Sequence, residues 1–157
     1  MRHKKAPRRV IQPDILHNNL MIAKLINRIM IDGKKSIAEK VVYNAFIRIT
    51  DKNQNPVETF EKALQNVAPK VEVKARRVGG ASYQVPQEVR TDRKTSLALR
   101  WLIEAARKRS NKEYHTFDEK LAAELLDAGQ NQGEAVRKKD IMHKQADANK
   151  AFTHFRW

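Results

Sequence analysis

One interruption in an otherwise helical pattern governs what this chain can fold into. Apolar residues recur every three or four positions from Leu20 onward, except between Val71 and Val89, where they alternate with other residues about a Gly79-Gly80 pair. Spacing of three to four puts side chains on one face of a helix, and alternation puts them on one face of a strand. The sequence therefore predicts helices on either side of a single β-hairpin. Val71, Val73 and Ala75 alternate with Glu72, Lys74 and Arg76; after the two-glycine turn, Tyr83, Val85, Gln87 and Val89 resume the alternation. With that turn Tyr83 falls opposite Arg76. Pro86 has no N–H to give to a ladder, which suits the edge strands of an isolated ribbon. Two strands alone are marginal in water, so the base of the ribbon should lean on helices while its tip projects.

Three helices are expected before the ribbon. Leu20, Ile22, Leu25, Ile26, Ile29 and Met30 form the first, with Gly33 as its C-cap. Ser36 and Glu39 have the spacing of a capping box for the second, whose stripe is Ile37, Val41, Ala45 and Ile49. Asn55 caps the third, Pro56 takes its first position, Glu58 follows the cap by three, and Phe60, Leu64 and Val67 face inward. After the ribbon, Thr91 is the expected N-cap of a fourth helix reaching about Lys108. Its Leu97, Leu99, Trp101, Leu102, Ile103, Ala105 and Ala106 cover more than half its circumference, the pattern of a central helix. Thr116 and Glu119 open a fifth, closed by Gly129. A weakly amphipathic sixth runs from about Gly133 to Phe152 and suits peripheral packing. The fold class is thus mainly α: a single domain over 1–157, of six helices with one protruding two-stranded β-hairpin between helices 3 and 4. A basic arm at 1–12, the ribbon at 70–90 and a basic C-terminal helix and tail at 133–157 complete it. A chain of 157 residues is of single-domain size.

Charge narrows the function. Lys and Arg number 32 against 18 Asp and Glu, a net +14, and the surplus is uneven. Residues 1–35 and 73–109 each carry +7, residues 135–157 carry +4, residues 36–72 balance, and residues 110–134 carry −4. Three basic blocks set apart by a neutral and an acidic one suggest a charged face assembled from distant segments for a polyanion. An acidic partner protein is a poor fit, and the most apolar stretch, Leu20 to Ile31, is too short and too interrupted by Lys24, Asn27 and Arg28 to cross a bilayer. No membrane partner is expected, and the N-terminus lacks the uninterrupted apolar region of a signal peptide, which places the chain in the cytoplasm or an organelle matrix or stroma.

An enzyme would need a constellation that is missing. There is no Cys, hence no thiol nucleophile, disulfide or Cys-held metal. His3, His17, His115, His143 and His154 never fall within four residues of one another, so no helical metal pair exists. Gly33-Lys34-Lys35 follows a helix and lacks both the upstream Gly and the Ser/Thr of a phosphate loop. No catalytic residue, metal site or cofactor is expected.

The candidate contacts are cations. Arg2, Lys4, Lys5, Arg8 and Arg9 form an arm that is either a solvated end or a segment ordering on a phosphate backbone. Lys34 and Lys35 sit in a tight turn where N–H groups opening the second helix could help hold phosphate. Lys74, Arg76 and Arg77 line the ribbon, Arg90, Arg93, Lys94 and Arg100 continue along the fourth helix, and Arg137 and Lys138 add the sixth. Arg107, Lys108 and Arg109 serve equally well as compensation of the helix dipole. Tyr83 could stack on unpaired bases or simply pack on the ribbon. Ribbon and arm favour RNA over duplex DNA, because the second helix is too apolar and neutral for a recognition helix. A DNA-associated helical protein and a regulatory binder of messenger RNA are the other readings.

Several blocks in this chain resemble one family. Gln12-Pro13-Asp14, the stretch from Asn19 to Ala45 with Leu25-Ile26, Gly33-Lys34-Lys35 and Val41-Val42, the run Arg76-Arg77-Val78-Gly79-Gly80-Ala81-Ser82-Tyr83-Gln84-Val85-Pro86, Ser96-Leu97-Ala98-Leu99-Arg100-Trp101-Leu102, and Phe155-Arg156-Trp157 are similar to small-subunit ribosomal protein seven in its bacterial or organellar form. The likeness covers essentially the whole chain and is weakest from Asn111 to Thr116. It implies a primary binder of the 3′ major domain of small-subunit ribosomal RNA that nucleates assembly of the subunit head. In such proteins the arm, the turn matching Lys34-Lys35, the ribbon and the fourth helix meet RNA. The tip, here Gly79, Gly80, Ala81, Ser82 and Tyr83, lies near exit-site transfer RNA and the messenger exit path. Ribosomal proteins nine and eleven are the neighbours the resemblance implies, and members can repress translation of their own operon messenger.

Overall fold

The structure is a computed structural model and describes residues 9 to 155. Arg2, Lys4, Lys5 and Arg8 of the arm lie outside the described residues, as do Arg156 and Trp157. The chain divides into two compact units, Met1–Lys40 and Val41–Trp157.

In the first unit, α1 (Leu20–Ile29) is capped by Asn19, whose Oδ1 accepts the Met21 N–H at 2.8 Å. Ile22, Ala23, Leu25, Ile26 and Ile29 are buried. The helix stops earlier than expected. Met30 is its C-cap, and Gly33 belongs instead to a turn from Ile31 to Lys34 closed by a 3.0 Å hydrogen bond from Lys34 N–H to Ile31 C=O. Asp32 (φ 53°) and Gly33 (φ 73°) are its two central residues, and positive φ at both is what a type I′ turn demands of an Asp-Gly pair.

That turn also moves the start of α2 (Lys35–Thr50). Lys34 C=O accepts the helical bond from Ala38, so Ser36 lies inside the first turn and does not cap it; Glu39 pairs with Lys35 at 3.5 Å. The buried stripe of α2 is Ala38, Val42, Ala45, Phe46 and Ile49, while Ile37 is 57% exposed. Steps of four residues drift about 40° around the helix each time. The expected series Ile37, Val41, Ala45, Ile49 therefore leaves a single face, whereas alternating steps of four and three hold one.

In the second unit, α3 (Pro56–Val67) starts as the sequence predicts: Asn55 Oδ1 accepts from Val57 N–H at 3.1 Å and from Glu58 N–H at 3.5 Å. Two antiparallel strands, β1 (Val71–Val78) and β2 (Ala81–Glu88), follow in the predicted register, with Val78 opposite Ala81, Arg76 opposite Tyr83 and Val73 opposite Pro86. Gly79 (φ 57°) and Gly80 (φ 89°) supply the two positive φ values of the turn.

The central helix is α4 (Thr91–Lys108), which buries Leu97, Leu99, Trp101, Leu102 and Ile103 among others. Its N-cap is Arg90, without a side-chain cap bond; Thr91 is already helical, and its hydroxyl does not cap but lies one position too late. Thr116 and Glu119 form the expected capping box of α5 (Phe117–Gly129), in which Gly129 is the last helical residue and Gln130 the C-cap. The last helix, α6 (Glu134–Ala148), is shorter than expected, because Asn149 turns its N–H and Nδ2 back onto Gln145 C=O and a 3₁₀ helix (Lys150–Phe155) follows. Helices α3 and α4 pack on α5, α6 packs on α4 and β1, and the 3₁₀ helix packs on β2. Among the described residues no helix is long and apolar enough to cross a membrane.

A polar knot ties the far end of α4 into this core. Glu124 of α5, only 1% exposed, accepts Arg109 Nε at 2.8 Å and the Ala135 N–H of the first turn of α6 at 3.1 Å. Arg109 also binds Asp127, and Lys120 Nζ donates to the Arg109 carbonyl at 2.7 Å. Burial works against the Arg109 charge, but its hydrogen bonds to Asp127 and Glu124 outweigh that and raise its pKa. The Arg109 side chain therefore serves the fold.

Candidate nucleic-acid interface

The first unit offers Arg9, Lys34 and Lys35, all exposed. The backbone N–H groups of Lys34 and Lys35 already donate to Ile31 C=O and Gly33 C=O, so what the turn presents to a phosphate is chiefly its two ammonium groups. Lys35 keeps 61% of its side chain exposed beside Glu39.

In the second unit, the base of the ribbon and the start of α4 meet at one acid. Glu72 on β1 is buried, its side chain 6% exposed, and accepts Arg93 Nε at 2.8 Å and 3.0 Å on its two oxygens. Lys74, two residues along and on the same face of the strand, lies 3.4 Å away. Both cations remain half open, with 53% of the Arg93 side chain and 52% of the Lys74 side chain exposed. Arg90 and Arg100 are exposed and Lys94 half-buried. Arg93, Arg100 and Arg107 are all exposed and follow one another at seven-residue intervals, hence along one face of α4. The sequence reading named these residues but did not see the row. It also passed over Glu72, whose only sequence signal is its two-residue spacing from Lys74.

The remaining candidates differ. Arg77 is exposed and Arg76 half-buried. Arg137 is exposed and pairs with Glu134 at 3.1 Å. Lys138 binds Glu104 of α4 with its ammonium 6.0 Å from the Trp101 ring centroid, and so fastens α6 to α4. At the tip Gly79, Gly80, Ala81 and Ser82 are exposed, but Tyr83 is half-buried, its ring 5.2 Å from Phe152 and 5.1 Å from Phe155. Tyr83 thus packs on the 3₁₀ helix and not simply on the ribbon. Away from the candidates, Arg48 bridges Asp118 (2.7 Å) and Glu119 (3.1 Å) at the start of α5. The hydrogen bond to Asp118 raises the Arg48 pKa. Burial pushes the Asp118 carboxyl up, but hydrogen bonds from Thr116 and Arg48 outweigh it, so its pKa is lowered; Glu119 is lowered chiefly by the Thr116 and His115 N–H groups, with Arg48 adding to them.

A mainly helical fold with a β-ribbon and separate groups of exposed cations defines a class, the basic binder of polyanions. Comparison with known proteins resolves it further. Residues 1–150 match the family described as Ribosomal protein S7p/S5e. The chain is similar to the small ribosomal subunit protein uS7 of Francisella tularensis subsp. holarctica (strain OSU18) and to that of subsp. novicida (strain U112). It is 54% identical to each, over 99% of this chain and 99% of each relative. The chain belongs to the ribosomal protein S7p/S5e family, whose members are structural and not enzymatic.

Proposed function

We propose that this protein is a structural constituent of the small ribosomal subunit that binds ribosomal RNA through the cations of its arm, its Lys34-Lys35 turn, its ribbon and α4. The observation that carries the reading is family membership along almost the whole chain, and the geometry at Glu72 supports it by gathering cations from ribbon and helix. The finer assignment extends the likeness seen in the sequence. The RNA target is the 3′ major domain, where the protein binds early and nucleates the head. The tip from Gly79 to Tyr83 stands near exit-site transfer RNA and the messenger path, ribosomal proteins nine and eleven are its neighbours, and its own operon messenger is a second RNA ligand.

The test combines localisation with affinity. The protein should sediment with small ribosomal subunits in cell extract and should bind a 3′ major-domain RNA fragment more tightly than duplex DNA of equal length. Affinity should fall on the order of 10³ to 10⁵ between about 50 and 200 mM salt if some 6 to 10 phosphates are contacted. Lys34→Ala combined with Lys35→Ala should weaken RNA binding with no change in thermal melting, since both side chains are exposed. Equal affinity for DNA would favour a DNA-associated protein, and a flat salt response would remove the electrostatic account.

A further inference from the structure

Glu72 is an acid in the midst of a basic surface, and it is nearly out of water. A carboxylate buried to this degree is tolerated only with close partners, and it has two, Arg93 and Lys74. The way Arg93 is held matters. Both carboxylate contacts run to Nε, one of the five N–H donors of a guanidinium, on an arginine whose side chain is still 53% exposed. One edge of the planar group is fixed while the four N–H donors of Nη1 and Nη2 form the fork that suits a phosphate. An arginine ordered beforehand loses little rotamer freedom when its ligand arrives.

We propose that Glu72 is a positioning residue for RNA: it anchors Arg93 by Nε and draws Lys74 beside it, so that the Arg93 fork is preset for the phosphate backbone. The inference rests on the RNA-binding reading above and deepens it. It also makes a prediction opposite in sign to that of simple charge. Glu72→Gln takes the net charge from +14 to +15, which by charge alone would tighten binding to RNA; loss of positioning weakens it.

The full-length chain, Glu72→Gln, Arg93→Lys and Arg93→Ala are compared for affinity to the 3′ major-domain RNA fragment across a salt series, with circular-dichroism melts confirming that each is folded. Arg93→Ala should weaken binding about tenfold and lower the salt slope by about one. Glu72→Gln should weaken it about three- to tenfold despite the added charge, and in the double variant with Arg93→Ala it should no longer weaken binding. Arg93→Lys, which keeps the charge without Nε or the fork, should weaken binding by a similar factor. If Glu72→Gln or Arg93→Lys binds as tightly as the parent while Arg93→Ala is weakened, the positioning role is overturned and the RNA reading stands. If Arg93→Ala itself binds normally, α4 leaves the interface and the proposal goes with it. Should Glu72→Gln fail to fold, the parent still decides: in the free ¹⁵N-labelled protein the Arg93 Nε–H should be protected from solvent exchange, and rapid exchange overturns the anchoring.

Discussion

Two arginines at opposite ends of α4 face buried glutamates, and the outcome differs. Arg93, in the first turn, meets Glu72, and 53% of its side chain stays in solvent; Arg109, just past the last turn, meets Glu124 and Asp127 with only 17% exposed. The acids are alike in burial, 6% and 1% exposed. What separates the pairs is the rest of the shell. Glu124 also holds the first turn of α6, and the Arg109 carbonyl receives Lys120, so the Arg109 side chain is tied to both α5 and α6. Glu72 pairs with Arg93 and Lys74, each with more than half of its side chain exposed. One pair is a clamp and the other a presentation, although both read in sequence as an arginine among basic neighbours.

The largest expected effect breaks the clamp. Glu124→Ala removes the more deeply buried of the two acids of Arg109 and leaves the Ala135 N–H without its acceptor, which for a buried pair costs about 3 to 5 kcal/mol. Arg93→Ala leaves Glu72 with Lys74 beside a solvent-open site, and about 1 to 2 kcal/mol is expected. Urea unfolding of both variants measures the contrast, and equal losses would erase it. A third substitution, expected to cost less than Glu124→Ala, sharpens the same point. Gly133, the N-cap of α6, has φ 92°, and a Cβ there would lie 3.0 Å from Glu124 Oε1. Gly133→Ala should cost about 1 to 3 kcal/mol through backbone strain and displacement of that carboxylate. Gly129→Ala, in ordinary helical conformation with the nearest atom 3.4 Å away, is the control and should lie well below it in the same assay.

How much of this was legible follows from distance along the chain. The Gly79-Gly80 turn fixed the register of the ribbon, and Asn55 and the Thr116/Glu119 box fixed two helix starts, because each acts on residues within a few positions. Ser36 and Glu39 have the same spacing as Thr116 and Glu119, yet no box forms there, since the Asp32-Gly33 turn begins the helix before Ser36 can cap it. The candidate surface was legible as a set of cations and not as an arrangement. Glu72 finds Arg93 across 21 positions, Arg109 finds Glu124 across 15, and Lys138 finds Glu104 across 34. Nothing local marks which cation is tied down. The segment charges pointed to a polyanion, but only the fold shows that Lys138, exposed like Arg100, is bound to Glu104 of α4.

Arg48 supplies the weak end of the series and the smallest predicted effect. It bridges Asp118 and Glu119, whose side chains are 14% and 27% exposed against 6% for Glu72 and 1% for Glu124, so solvent screens these acids more and the smallest gain of the three arginines is expected at neutral pH. Both carboxyls have folded-state pKa values below their ordinary ones. Stability from a carboxyl lowered in this way is complete above the unfolded-state value, about 4, and is lost as pH falls through the folded value. Arg48→Ala removes one of the groups that lower both carboxyls, so the two proteins should differ most at neutral pH and converge below about pH 4. Melts taken from about pH 7 to 2.5 measure this. A gap that stayed constant on acidification would mean that Arg48 stabilises the start of α5 by packing its stem, and the ranking of arginines by the burial of their acids would lose its weakest member.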